Sequence, residues 1–557
     1  MWHPVVNRSI APPRRSQRLR LMSQMSVTSE ADSKAWKVPL SPEILGQILS
    51  VLSTRDNARA ARVSKFWCDV AVSFIWKELR NIEVILRLLA PLAVRDGKVA
   101  FARPLTTQGW ARFDHYARRV HGLGLKDFRD SLPLHPSLVK AILTTRSPSN
   151  FLQSLQCLQL GPSTLDRADI LLHSTVTSFS VWLPNDFQLV GSILSSLPAK
   201  TPKLKELVLN DGNSRAPDAD IERILAEALQ KLPSLNKLSL PTLWHTSTIF
   251  CAAATCPRLS ELRVRDPVGS GKLEAPAFEH LFSTSLPPHG FPSLSVFVAP
   301  MPLPRAMRIF SQPGCFEILS RLSIDSPSSE GPREYGALLE TLSDCCPNLK
   351  DLSFIGSRPP RKITDRVTLN ELSHIMKFKD LEALYLQHTM PFQLVAEEVL
   401  TMVRALPKLT HITLNSCPEF ELTTTLDVSV LASLYKLRPN LVTLGLYLDA
   451  SAERIPPPTG DDEYVPASLC PESAELDLST SYMTEPIPLA MYLSRVLPPS
   501  WDLLISPRQS RGGVSILENW QQVMRLMPAF TQAREEAYEL GVRHGERHGV
   551  LRHPPDD

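Results

Sequence analysis

This chain of 557 residues lacks most features that would assign it a chemistry. No run approaches the ~20 apolar residues that a membrane helix needs, so no contact with a membrane is expected. Charge of one sign is also missing. Sixty basic residues face 57 acidic ones, for a formal net charge of +3, and no global field favours nucleic acid or a membrane surface. Nine cysteines are present, but none forms a Cys-x-x-Cys pair. Their odd number and apolar neighbours point to reduced intracellular thiols rather than a disulfide framework. No Gly-x-Ser-x-Gly elbow occurs. At Gly269-Ser270-Gly271-Lys272, Asp266 and Leu273 stand where a phosphate loop needs Gly and Ser or Thr. His544 and His548 have metal-ligand spacing only on a helix, and Gly541, Gly545 and Gly549 argue against one there. No catalytic residue, metal ligand or cofactor is therefore expected.

What the chain has is a phrase. Cys346-Pro347-Asn348-Leu349-Lys350-Asp351-Leu352-Ser353-Phe354 reduces to Pro-x-Leu-x-x-apolar-x-apolar. It recurs from Pro202, Pro233, Pro257, Pro407 and Pro439. Counting weaker copies, the first apolar position runs from Val120 to Trp501 at a mean spacing of roughly 29 residues, within the leucine-rich repeat range. Between copies lie helical segments, the clearest at Asp220–Leu229. A unit of strand plus helix cannot bury its apolar face alone, so many must stack. The expected fold class is α/β, an irregular repeat solenoid with parallel strands on the concave side and helices on the convex side.

A different composition precedes the repeats. Ser41 is a fitting N-cap with Pro42 at the first helical position and Glu43 in the first turn. Leu45, Ile48, Leu49 and Leu52 follow as one apolar stripe. Two further helical segments follow, the second carrying Phe66, Trp67 and Trp76. Three helices in about 40 residues are near the limit of independent stability, and a partner covering their apolar surface would relieve that.

Leu40-Ser41-Pro42-Glu43-Ile44-Leu45-x-x-Ile48-Leu49, then Val63-Ser64-Lys65-Phe66-Trp67 and Ile75-Trp76, resemble an F-box. The resemblance implies binding to Skp1 and through it to a cullin. It nominates Leu40, Pro42, Ile44, Leu45, Ile48, Leu49, Val63, Trp67 and Trp76 as the Skp1-binding or F-box core set. The following repeats resemble the leucine-rich repeats of F-box substrate adaptors. The expected organisation is a disordered basic tail at 1–36, the F-box at 37–80, a helical linker at 81–118, the repeats at 119–508, a helical cap at 509–542 broken near Pro528, and a disordered tail at 543–557. The first strand is expected at Val120.

The polar letters of the phrase are expected on the concave face. They nominate Lys205, Glu206, Lys237, Glu261, Arg263, Lys350, Asp351, Tyr385 and His411 as substrate contacts. Signs alternate there and no basic stripe with stacking aromatics forms, so nucleic acid is not expected. Such a mixture suits protein recognition. The expectation is a non-catalytic substrate adaptor of an SCF-type ubiquitin ligase in the cytoplasm or nucleus. The other reading is a repeat scaffold outside any ligase.

Overall fold

The computed structural model describes residues 41–547 except 125–131, 147–150, 185–186, 212–214, 265–284, 329, 357–365, 421–422, 458–473, 479–480, 498–500 and 505–513. Leu40, the N-terminal tail and residues 548–557 lie outside the described residues, whereas 543–547, expected in the disordered tail, belong to the terminal helix. The chain divides into two compact units, 1–235 with 266–272, and 236–265 with 273–557.

The first unit opens with α1 (Pro42–Ser50), α2 (Thr54–Ala60) and α3 (Lys65–Lys77). The last of these runs straight into a strand, Glu78–Leu79, which pairs in parallel with Gly122–Gly124. The sheet therefore begins one strand before Val120. A two-residue strand carries too little pattern to be read from sequence. Strands Cys157–Leu160, Ser178–Trp182 and Glu206–Asn210 extend it, all parallel and in chain order. Leu79, Leu123, Leu158, Phe179 and Leu207 align across it and are all buried.

The segment expected as a helical linker holds α4 (Glu83–Leu89) and α5 (Thr107–Ala117) with an antiparallel hairpin between them. Leu92–Arg95 pairs with Lys98–Phe101 around Asp96 and Gly97. Both turn residues have positive φ, 50° and 70°. Two such residues make the turn that matches strand twist, and Asp-Gly is a preferred pair for it. That dipeptide was the legible sign of the hairpin.

The second unit repeats the same logic over a longer run. Its strands are Lys237–Leu240, Glu261–Val264, Val296–Pro300, Arg321–Ser326, Asp351–Gly356, Ala383–Gln387, His411–Leu414, Thr443–Leu446, Ala474–Asp477 and Trp501–Leu504, each parallel to the next. Leu238, Leu262, Phe297, Leu322, Leu352, Leu384, Ile412, Leu444, Leu476 and Leu503 form the aligned buried row. Burying side chains of this size stabilises by about 1.5–3 kcal/mol each. The last copy sits one residue off the expected phase. Trp501 pairs with Ala474, so the position equivalent to Leu441 is 500 rather than 501.

The proline of the phrase has a defined task. Leu204 N–H donates to Thr201 C=O at 3.0 Å, Leu235 to Leu232 at 3.1 Å and Leu441 to Arg438 at 3.2 Å. Each is an i to i+3 turn with Pro at its second place, where φ is pre-set and no N–H is required. The next two N–H groups then donate to one carbonyl of the preceding repeat. Lys350 and Asp351 both reach Ser320 C=O, at 2.8 and 3.0 Å, and Glu382 and Ala383 both reach Lys350 C=O, at 2.7 and 2.9 Å. The phrase thus ties turn, strand start and neighbour together.

One close approach in this sheet makes a prediction. Thr413 and Gly445 are register partners, and a Cβ on Gly445 would fall 2.7 Å from the Thr413 methyl. Gly445→Val is expected to cost about 1–3 kcal/mol by overpacking. Urea melts should show it, and Thr413→Gly in the same chain should recover part of it. No change in the midpoint would contradict the register.

The terminal helix, Val514–Arg547, runs unbroken through Pro528. Proline removes one backbone hydrogen bond, but contacts hold the helix on both sides of it. Trp520 and Val523 before it and Thr531 after it are buried, and Trp520 Nε1 donates to Ser481 C=O at 3.3 Å.

The described cysteines are free thiols. Burial pushes Cys346 up to about 12 and Cys256 up to about 11, so neither is a ready nucleophile.

Candidate functional site

Each head helix begins on a serine cap. Ser41 Oγ accepts from Ile44 N–H at 3.3 Å, Ser53 Oγ from Asp56 N–H at 3.2 Å, and Ser64 Oγ from Trp67 N–H at 3.2 Å. Such caps contribute about 1 kcal/mol each. Hydrogen bonds from its own backbone N–H and from Ser41 hold the Glu43 carboxyl below its usual range, as suits an acid at a helix N-terminus.

The head buries little. Leu45, Leu49, Ala60 and Ala71 form its core, with Leu52, Ala61, Trp67, Val70 and Phe74 packed partly against them. Asn57 ties α2 to α1 by donating from Nδ2 to Leu49 C=O at 3.1 Å. The apolar residues of α1 do not form the single stripe read from sequence. Leu45 and Leu49 point into the core, while Ile44 is 50% exposed, Ile48 41% and Val51 75%. Spacings of four and three residues place these three on one outer stripe. Val63 (65%) and Phe66 (42%), where α2 gives way to α3, are exposed as well. So many exposed large apolar side chains in so small a unit are the mark of a covered surface.

The nominated head residues therefore divide by position. Ile44, Ile48, Val63 and Pro42 are exposed, Leu45 and Leu49 are buried, and Trp67 is half-buried against the core. Trp76 lies elsewhere. Its ring packs at a tilt against Tyr116 of α5, 4.5 Å between centroids, which ties the head to the rest of the first unit.

Of the nominated polar letters, Glu206, Lys237, Glu261, Arg263, Asp351, Tyr385 and His411 lie on strands at positions opposite the buried row, whereas Lys205 and Lys350 precede their strands, and the nine fall in two groups. Lys205 and Glu206 belong to the first unit and the other seven to the second. Glu206 accepts from Ser178 Oγ at 2.6 Å. Lys237 pairs with Glu261 at 3.3 Å, and Arg263 also binds Glu261. Burial opposes ionisation of Glu261, but these two cations hold its carboxyl below the usual range. Arg321 pairs with Asp351 at 2.8 Å, and Lys350 with Glu382 at 3.3 Å. Burial pushes Asp351 up despite Arg321. His411 is exposed and Tyr385 half-buried.

Sequence reasoning missed the outward residues of Val296–Pro300. Val296, Val298 and Pro300 lie half-buried on that face beside Arg321, Ser323 and Asp325. Their copy of the phrase, Pro292-x-Leu294-x-x-Phe297-x-Ala299, keeps the spacing of the others, but Val296 and Val298 are apolar at places where the other copies mostly carry polar residues. Among the described residues no group of three or more His, Cys, Asp and Glu side chains could hold a metal. None of the described helices is long and apolar enough to cross a membrane.

Residues 42–81 match the F-box-like family model. No curated protein matches the chain in sequence. Among solved structures, the chain is similar to one in a TLR13–ssRNA13 complex, at 14% identity and a TM-score of 0.34, over 70% of this chain and 50% of that one. It thus spans about half the length of that relative. It is also similar to one in the complex of Rad7 and Elc1 in yeast, at 13% identity and a TM-score of 0.39, over 89% of this chain and 99% of that one. Head, strand period and register together make this chain an F-box-like domain followed by leucine-rich repeats of α/β class.

Proposed function

We propose that the chain is the substrate-recognition subunit of an SCF-type ubiquitin ligase. Its head binds Skp1, and through it a cullin, and its repeats hold a protein substrate. The observation that carries this reading is the outer stripe of α1. A unit with four buried core residues leaves Ile44, Ile48 and Val51 facing solvent, and a helical partner would cover them. The mixed, ion-paired sheet faces suit a protein substrate met through many small polar contacts. The chain itself supplies no reacting group. It accelerates transfer by holding the substrate near the charged conjugating enzyme, an effective-concentration effect, in the cytoplasm, the nucleus or both.

The test uses the purified full chain and purified Skp1 on a sizing column. Co-elution as a one-to-one complex is the expected result. Separate elution at micromolar concentrations removes the ligase reading and leaves an interaction scaffold.

A further inference from the structure

Glu330 is an anomaly in the second unit. It is 8% exposed, and among the described residues no cation pairs with it. A buried carboxylate without a counter-charge is costly to ionise.

Its position is what makes this consequential. Helix Leu303–Phe310 begins after Pro302 and has no side-chain cap of its own. Glu330 supplies one from the next repeat, Oε1 accepting from Leu303 N–H at 2.7 Å. Ser326, at the end of strand Arg321–Ser326, hydrogen-bonds the same carboxyl. The backbone carbonyl of Glu330 accepts from His388 Nε2 at 3.2 Å, which reaches the loop after strand Ala383–Gln387. Tyr335, one turn into the helix that follows Glu330, donates its hydroxyl to Gln387 C=O at 3.2 Å and sets its ring edge-on to His388 at 5.4 Å. One residue thus joins the start of one helix, the end of the next strand and a loop nearly sixty residues away.

We propose that Glu330 is a proton-operated clamp, closed when its carboxyl is neutral and loosened when it ionises. The opposing influences can be named. Burial dominates and pushes the carboxyl up to about 7, against the hydrogen bonds from Ser326 and Leu303. Glu334, on the helix that follows, adds like charge and pushes the same way. Tyr335 stays neutral because burial raises it far above its ordinary range. His388 faces the cluster from its loop, and burial holds its imidazole below the usual value, so it stays mostly uncharged near neutrality. Helix Leu303–Phe310 contributes its first N–H. The folded value lies above the unfolded one, so the clamp's stabilisation is complete below about 4.5 and is lost as pH rises through about 7.

The test is hydrogen exchange on the full chain and on Glu330→Gln, read in peptides covering 303–310 and 326–335 at pH 6 and pH 8, corrected for intrinsic rates. Glutamine keeps the acceptor for Leu303 and cannot ionise. Wild type should open about tenfold more at pH 8 than at pH 6 relative to Glu330→Gln. Taking the ratio to the variant cancels the opposite pH dependence of the buried histidines, which both proteins share. Equal pH ratios in the two proteins overturn the clamp. So does a Glu330→Gln chain that fails to fold, because a neutral isostere should be tolerated.

Discussion

Replacing Ile44 and Ile48 together with Asp should weaken Skp1 capture by at least about 100-fold and leave the melting temperature of the chain nearly unchanged. Both side chains are 40–50% exposed in the free protein, so the substitutions remove nothing from the core. In a complex they would forfeit two apolar contacts of about 1.5–3 kcal/mol each and place two carboxylates against an apolar partner. A loss of about 2.8 kcal/mol already corresponds to 100-fold. Leu45 is the control that gives the experiment its meaning. It is fully buried beside Leu49, so Leu45→Asp should unfold the head and abolish capture for a trivial reason. Titration of Skp1 onto the immobilised double variant, with circular dichroism melts alongside, separates the two cases. If the folded double variant binds as wild type does, α1 is not the contact surface.

Phe297→Ala should cost about 3–5 kcal/mol, the range for truncating a buried aromatic. Its ring is fully buried and lies 6.3 Å from Phe250 and 5.8 Å edge-on to Phe310. Phe310 in turn meets Phe316 at 4.8 Å. One truncation therefore hollows a cluster shared by successive repeats, and neighbour coupling should spread the loss along the second unit. Val298 is the matched comparison, next in the chain and on the opposite sheet face. Val298→Ala should cost well under half as much. Urea unfolding measures both, and equal losses would show that the strand is out of phase.

These predictions mark where sequence reading reached and where it stopped. The repeats were legible because Leu349, Leu352 and Phe354 recur at fixed spacing and, among the described residues, such positions are buried for the same reason. The outward residues Val296 and Val298 were poorly legible because they are as apolar as Phe297 between them, so hydrophobicity alone does not separate the two faces. On α1, Ile44 and Leu45 are equally apolar, and hydrophobicity does not say which faces a core and which a partner. Only the packing of Leu45 against the other helices separates them. Strand Glu78–Leu79 was hidden because its pairing comes from residues more than forty positions away. The Glu330 cluster had no local pattern at all, since its partners are set by stacking.

The direct passage of α3 into strand Glu78–Leu79 bears on how this protein can be taken apart. His121 N–H donates to Lys77 C=O at 2.9 Å, Leu79 is buried on Leu123, and Trp76 rests on Tyr116. A cut after residue 79 would strip the first sheet of its opening strand and leave the edge at Gly122–Gly124 bare, an invitation to pair with another molecule. The head is not an interchangeable cassette. A chimera that exchanges it must carry the strand and the segment through Tyr116 with it, and loss-of-binding experiments are better made with single side chains than with deletions.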